Sequence, residues 1–461
     1  MKVTGDENKF TKEIKKKEGF KASRYNIISE DGIGNLLLVN TFAGSFTKFG
    51  FSMNGEVRNI LKRPDEYSKL GGLFTELVTR GYIINSNVDE FRKAELLHQN
   101  TLSINSGLEL ILMPNEDCNF RCKYCYESFA KNFMTESVQQ GIIKFLERNI
   151  HRYSSLHVSW FGGEPLTAIP IIERLSKKMI EICKEKRVPY SSSMTTNGYN
   201  LTLDVFEKML ECRVRKYQIT LDGIECTHDK QRVQVDGKGS FKRILENLLN
   251  IKENINSKTF HIMIRSNITK NILDNIDEFI NFLKDNFEDD YRFSSFWQAA
   301  GDWGGDSVRE IEETFCSSKD YIQSLKDASK LGIKFNMYRD MMKPGGSVCY
   351  ASKRNSYVIG SDGIIYKCTV AFDLDENQVG VLTENGVMQL DYDKYALWVS
   401  GHESSDLSCQ KCYFRPSCQG ASCPLERLKN NIAPCPDVKR SIKDYMKIIS
   451  ESEYSYEYIE S

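Results

Sequence analysis

Cys118, Cys122 and Cys125 lie in the stretch Cys118-Asn119-Phe120-Arg121-Cys122-Lys123-Tyr124-Cys125, spaced C-x3-C-x2-C. A [4Fe–4S] cluster is normally held by four cysteine thiolates. This stretch supplies three, and the next cysteine along is the distant Cys183, so one iron lacks a protein ligand. The loop follows an apolar run at 108–113 that reads as a buried strand. An open metal position just past a strand end points to catalysis rather than to a structural clamp. Structural zinc needs four ligands, usually as two separated C-x2-4-C pairs, and no second pair stands close by.

Five more stretches carry polar chemistry. Trp160-Phe161 leads into Gly162-Gly163-Glu164-Pro165, where two glycines permit close approach of a ligand to the backbone and a carboxylate can accept from an ammonium group. Thr195-Thr196-Asn197-Gly198, Thr220-Leu221-Asp222-Gly223 and Arg265-Ser266-Asn267 end three further strand-like runs, and His228-Asp229-Lys230-Gln231-Arg232 follows the second of these. Taken alone, each of these is compatible with turn chemistry or a loop salt bridge.

Together these residues resemble the radical S-adenosylmethionine (SAM) superfamily. The resemblance implies that the open iron chelates the amino and carboxylate groups of SAM, and that one electron cleaves SAM to a 5′-deoxyadenosyl radical. It places Tyr124 near the adenine, Gly162, Gly163 and Glu164 at the SAM amino group, and Asn197, Thr220 and Asp222 at the methionyl part and ribose. Arg232 is expected at the SAM carboxylate and Arg265 at a further polar contact.

The elements that must position these groups follow from periodicity. Strand-like runs at 108–113, 156–161, 191–195, 217–221, 260–264 and 292–297 alternate with helix-like stretches at 137–148, 171–184, 203–212, 241–254 and 276–285. Such alternation predicts a parallel sheet, here an α/β fold with a partial (β/α)6 barrel over residues 104–301. Before it, short strands are expected at 25–29, 35–40 and 46–51, helices at 54–62 and 67–80, and a strand at 81–84. This N-terminal part, 1–103, weakly resembles winged-helix-like precursor-peptide recognition domains, which add a leader peptide to a sheet edge. Residues 1–22, with Lys15-Lys16-Lys17, read as a solvated arm.

Of 14 cysteines, seven fall in the last quarter: Cys349, Cys368, Cys409, Cys412, Cys418, Cys423 and Cys435. Apart from the loop residue His402, no histidine ligand stands near, and so soft a donor set suits iron–sulfur clusters better than zinc. The array resembles the SPASM domain, expected at 346–440 after a bridge at 302–345 containing the loop Trp303-Gly304-Gly305, with a tail at 441–461. By that resemblance Cys409, Cys412, Cys418 and Cys435 hold an outer cluster and Cys349, Cys368 and Cys423 an inner one, three [4Fe–4S] clusters in all. The gap from Cys418 to Cys423 is one residue longer than the family pattern. The segment 340–344 lacks the extra cysteine of some relatives, which leaves the inner cluster an open iron, or Cys316 as a remote fourth ligand. Cys183, Cys212, Cys226 and Cys316 otherwise read as small buried hydrophobes.

A net charge of −1 gives no bulk field for nucleic acid or an acidic membrane, and no run is long enough to span a bilayer. The N-terminus has no signal-type apolar segment, so a cytoplasmic location is expected. The resemblance implies a thioether-forming peptide maturase of the sactipeptide and ranthipeptide type. Its partners would be a ribosomally made precursor peptide and a one-electron reductant such as flavodoxin or ferredoxin. Carbon–carbon cross-linking, epimerisation, formylglycine formation by an anaerobic sulfatase maturase, and simple electron transfer are the competing functions. Sulfatase maturases usually carry an aspartate directly after the cysteine matching Cys368, where Thr369 stands here.

Overall fold

The computed structural model describes residues 19–452, apart from residues 70, 105, 303–305 and 401–405. The expected N-terminal arm as far as residue 18, the loop at 303–305, His402 and the end of the tail lie outside the described residues. The last part of the expected arm, Phe20–Ala22, is a strand paired antiparallel with Ile83–Asn85.

The first unit is a three-stranded antiparallel sheet of β1 (Asn26–Glu30), β2 (Leu36–Asn40) and β3 (Ser45–Phe49). Every residue of the central strand β2 is buried, because both faces of the sheet are covered. Leu36, Leu38 and Phe49 pack on helix α1 (Phe51–Lys62) and helix α2 (Leu73–Thr79) through Val57, Ile60, Phe74 and Leu77. Ile27, Leu37, Val39 and Phe46 join the main core of the molecule. The single helix expected at 67–80 does not form. A short turn at Pro64–Tyr67 stops, and α2 starts only after Gly71 and Gly72, whose φ values of 66° and 48° are outside the right-handed helical range.

Six parallel strands then follow in spatial as well as chain order: β4 (Gly107–Asn115), β5 (Ser155–Gly162), β6 (Tyr190–Thr196), β7 (Val214–Thr220), β8 (His261–Ile268) and β9 (Phe293–Ala299). Each matches a strand-like run in the sequence. Amphipathic helices cover the outside; in Ile169–Lys186 the buried residues Ile172, Leu175, Met179 and Ile182 recur at helical spacing. The strands present Leu156, Val158 and Trp160 of β5, for example, fully buried toward these helices. Burying such a side chain contributes about 1.5–3 kcal/mol, which is what fixes each strand's register.

The sheet does not close. On its free side β4 pairs in parallel with β10 (Ser356–Ile359), from the C-terminal cysteine-rich region, and an antiparallel run of β11 (Ile364–Tyr366), β12 (Gln378–Leu382) and β13 (Met388–Leu390) extends it to ten strands. The bridge is largely helical: a 3-10 segment, Asp306–Thr314, is followed by a helix, Ser318–Lys330, capped by Ser317. Among the described residues no helix is long and apolar enough to cross a membrane.

Candidate active site

The carboxyl ends of the parallel strands surround a cavity of about 450 Å³. Cys118, Cys122 and Cys125 line it, together with Tyr124, Gly162, Gly163, Asn197, Thr220, Arg232 and Arg265. The cysteine loop leaves β4, and its residues Phe120–Cys122 pair antiparallel with Arg232–Gln234, which places Arg232 opposite Cys122. Burial holds all three thiols above their ordinary range, Cys125 at about 12. Deprotonating them therefore requires a nearby positive charge, which a metal cluster supplies on ligation. Among the described residues no three His, Cys, Asp or Glu side chains converge on one single-ion position. Three half-buried thiols on one loop suit a polynuclear cluster, which takes its ligands on several irons.

Two expected ligand contacts are not on the cavity wall. Glu164 is fully buried, and its carboxylate accepts from Leu166 N (2.9 Å), Thr196 Oγ1 (2.6 Å) and Asn197 N (2.7 Å). It ties the end of β6 to the loop after β5, so its side chain acts on Asn197 rather than facing the cavity. Burial pushes the carboxyl up, and these donors oppose the shift. Asp222 is likewise fully buried and accepts from the Tyr124 hydroxyl, from Asn267 N (2.7 Å) and from Asn267 Nδ2 (3.3 Å). The Tyr124 hydroxyl in turn accepts from Arg232 Nη1 (2.6 Å). Tyr124 thus bridges a buried anion and a buried cation, and the cysteine loop is pinned to the ends of β7 and β8.

The glycine pair has a cause that the sequence did not reveal. A Cβ on Gly162 would lie 2.4 Å from Asn115 O, and one on Gly163 would lie 2.4 Å from Asp117 O. The backbone leading into the cysteine loop fills that space, so the glycines are required by protein packing whatever a ligand needs. Asn197 completes the join, donating from Nδ2 to Asn119 Oδ1 (2.8 Å). In the segment 228–232, His228 Nδ1 accepts from Asp222 N (3.2 Å), and Asp229 Oδ1 accepts from Ser240 N (2.8 Å) and Phe241 N (2.9 Å). Those two residues hold the segment in place, and Arg232 alone of the three reaches the cavity wall.

Arg265 lines the cavity with its Nε donating to Asn267 Oδ1 (3.2 Å). Sequence reasoning did not single out Tyr126, Glu127 or Tyr350 on the wall, and it named Thr369 only as the residue after Cys368. Glu127 Oε1 is buried without a hydrogen-bond partner, and burial pushes its carboxyl up to about 8. Tyr350 and Thr369 directly follow Cys349 and Cys368, and their hydroxyls are 2.8 Å apart.

The C-terminal thiols sort into two groups. Burial raises Cys349 to about 12, and the neighbouring Cys368 and Cys423 raise it further. Burial raises Cys418 to about 12 as well, with Cys412, Cys409 and Cys435 as its thiol neighbours. Asn377, fully buried, fixes Cys368 by accepting from its N–H (2.8 Å) and donating to its carbonyl (2.8 Å). Lys439 Nζ donates to Cys435 Sγ (3.0 Å). Cys316 lies at the end of β8, 3.6 Å from the carbonyl of Ile268, and no thiol neighbour perturbs it. Cys183 and Cys212 are buried as expected; Cys226 is exposed, because it sits on the solvent side of its short helix.

Comparison with known proteins agrees with this geometry. Residues 112–280 match the model of the radical SAM superfamily. A cysteine-type anaerobic sulfatase-maturating enzyme of Clostridium novyi (strain NT) is 24% identical over 336 residues, covering 68% of this chain and 87% of that protein. The radical SAM cyclopropyl synthase TigE of Paramaledivibacter caminithermalis is 24% identical over 215 residues, covering 42% of this chain and 44% of that one. Among solved structures, anSMEcpe with bound AdoMet and the Kp18Cys peptide superposes with a TM-score of 0.56 at 19% identity, over 74% of this chain and 96% of that one. Partial barrel, three-cysteine loop and family match agree: residues 112–280 form a radical SAM domain, of a superfamily whose members are enzymes that use a [4Fe–4S] cluster and SAM.

Proposed function

We propose that the enzyme is a peptide maturase that joins a cysteine sulfur to a carbon in a ribosomally synthesised precursor peptide. One observation carries the reading: the three-cysteine loop shares a cavity with residues next to two of the C-terminal cysteines. Cys118, Cys122 and Cys125 line it, and so do Tyr350 and Thr369, which directly follow Cys349 and Cys368. A cluster on the first group, with SAM, supplies when bound a nucleoside radical able to remove a hydrogen atom from carbon. The protein's part is to hold and orient. Gly162, Gly163, Asn197, Thr220, Arg232 and Arg265 form the wall proposed for SAM, while Glu164 and Asp222 position Asn197 and Tyr124 from behind.

In this reading the region 346–440 is a SPASM domain with two auxiliary [4Fe–4S] clusters. Cys409, Cys412, Cys418 and Cys435 hold the outer one. Cys349, Cys368 and Cys423 hold the inner one, and three thiols leave it a position for the substrate's own sulfur. The closeness of Cys368 and Cys423 to Cys349, and of Cys409, Cys412 and Cys435 to Cys418, supports the grouping. The remaining unit boundaries are 1–103, 104–301, 302–345 and 441–461. The unit at 1–103 offers the leader peptide two unpaired edges, β1 and β3. A flavodoxin or ferredoxin serves as reductant, and the enzyme works in the cytoplasm.

Formylglycine formation is the second reading, favoured by the Clostridium novyi relative, of which this chain covers 87%. Thr369 after Cys368 counts against it, since its hydroxyl, bonded to Tyr350, cannot replace a carboxylate base. The deciding experiment treats a cysteine-containing precursor peptide with reconstituted enzyme, SAM and reductant. A thioether loses a pair of hydrogens per link and the thiol resists alkylation. Loss of hydrogens with alkylatable thiols indicates a carbon–carbon link, an unchanged mass with inverted stereochemistry indicates epimerisation, and a hydrazide-reactive aldehyde indicates formylglycine. No deoxyadenosine release at all leaves an electron carrier.

A further inference from the structure

The lumen of the partial barrel continues below the cysteine site. In packed barrels of parallel strands the inward positions are filled by layers of bulky apolar side chains. Here they are small and polar. His157 and Ser159 of β5, Ser191, Ser193 and Thr195 of β6, and Lys216 and Gln218 of β7 point to the same side as the cavity-lining residues, alternating with fully buried neighbours. A second cavity of about 520 Å³ results, floored by the helix Asn336–Met342. Thr195 and Gln218 line both cavities, so the two share this stretch of wall.

The lower chamber has a sign. Lys216 lines it and makes no ion pair among the described residues. Its partner across the sheet is His261, which also lines the chamber, and the carboxylate there, Asp340, is already paired with Lys343 at 2.6 Å. Lys216 bears on both His261 and His157, whose charged forms are disfavoured first by burial. Lys216 is exposed, so it stands as a solvated cation, unpaired among the described residues, at the mouth of the chamber, which also presents the hydroxyls of Ser193 and Ser294 and the amide of Asn336. Lys216 stands four residues before Thr220 of the upper wall, roughly 13 Å along the strand.

We propose that this chamber binds an acidic side chain of the substrate, with Lys216 pairing its carboxylate while a neighbouring residue of the same peptide reacts above. The proposal rests on the peptide reading given under Proposed function. An extended peptide covers roughly 13 Å in about four residues, so the acidic position is about four residues from the reacting one.

The test uses reconstituted full-length enzyme and fluorescein-labelled ten-residue alanine-rich peptides. Each contains one cysteine and a glutamate two, four or six residues away on either side, with glutamine twins. Anisotropy titrations at low salt should give about fivefold to tenfold tighter binding for one glutamate peptide of the four-residue spacing than for its twin. Lys216→Met should erase the preference. Lys216→Glu should favour a lysine peptide of the same spacing, a reversal that a general loss of folding cannot produce. If the peptides bind but no spacing favours glutamate, or the preference survives Lys216→Met, the chamber assignment is wrong and the peptide reading stands. If no peptide binds, the chamber assignment falls, and the peptide reading, which includes a leader bound by the unit at 1–103, is decided by the precursor-peptide experiment above.

Discussion

Asp222 gives the sharpest stability prediction. Its carboxylate is fully buried, accepts from the Tyr124 hydroxyl and twice from Asn267, and faces the Arg232 guanidinium across Tyr124. Asp222→Asn keeps the shape and removes the charge. Arg232 then remains buried, 6% exposed, and loses the Asp222 charge, with Glu164 left as a carboxylate that still bears on it. Breaking a buried pair from one side costs about 3–5 kcal/mol. The retained amide oxygen of the new side chain still accepts from Asn267 N, so the lower end, about 3 kcal/mol, is expected. Tyr124→Phe removes two hydrogen bonds to charged groups, each contributing roughly 1.5–3 kcal/mol. Because the two changes share one network, the double variant should cost less than the sum by about 1–2 kcal/mol. Amide hydrogen exchange reads this locally, at the Asn267 N–H that donates to Asp222. A loss of about 3 kcal/mol is roughly 150-fold faster exchange, since each 1.4 kcal/mol is tenfold. Additive effects of the two substitutions, or unchanged exchange at Asn267 in Asp222→Asn, would refute the bridged arrangement.

Two further changes test neighbouring features. Gly163→Ala puts a methyl group 2.4 Å from Asp117 O, a backbone atom with no rotamer to yield, so a cost of about 1–3 kcal/mol and displacement of the cysteine loop are expected. Iron content after reconstitution should fall, and full iron with unchanged SAM binding would contradict the packing argument. Burial raises the Glu127 carboxyl from its unfolded value to about 8, so its neutral form favours the fold: that contribution is complete at acid pH and is lost as pH rises through about 8. The melting temperature of Glu127→Gln should therefore gain on wild type from pH 5 to pH 8 and level off above it, and a gap that does not change with pH would exclude this.

The strand–helix alternation of the barrel was legible because each element buries one face locally: period-two runs such as 156–161 and helical runs such as 171–184 carry their own signal. The site loops were legible as residue types. The use of those residues was not. Glu164 and Asp222 looked like ligands because a carboxylate at a strand end is chemically suited to either role, and only the positions of Thr196, Asn197 and Asn267 show that both are spent inside the protein. The pairing of β10 with β4 was hidden for another reason: it joins Ser356 to Glu109, far apart in the chain, and hydrophobic period alone does not name a strand's partner. Asn377 carried no motif, yet it fixes Cys368 from both sides. The expected helix at 67–80 failed on Gly71 and Gly72, whose positive φ outweighs the apolar spacing around them.

The central claim is that Cys118, Cys122 and Cys125 hold a cluster with one iron left for SAM. Electron paramagnetic resonance of the anaerobically reconstituted, reduced protein tests it directly, comparing wild type with a variant in which all three are alanine. The signal of wild type should change when SAM is added. The variant should keep whatever clusters the C-terminal cysteines hold and show no response to SAM. A SAM-dependent change that persists in the triple variant would place the open iron elsewhere and contradict the account.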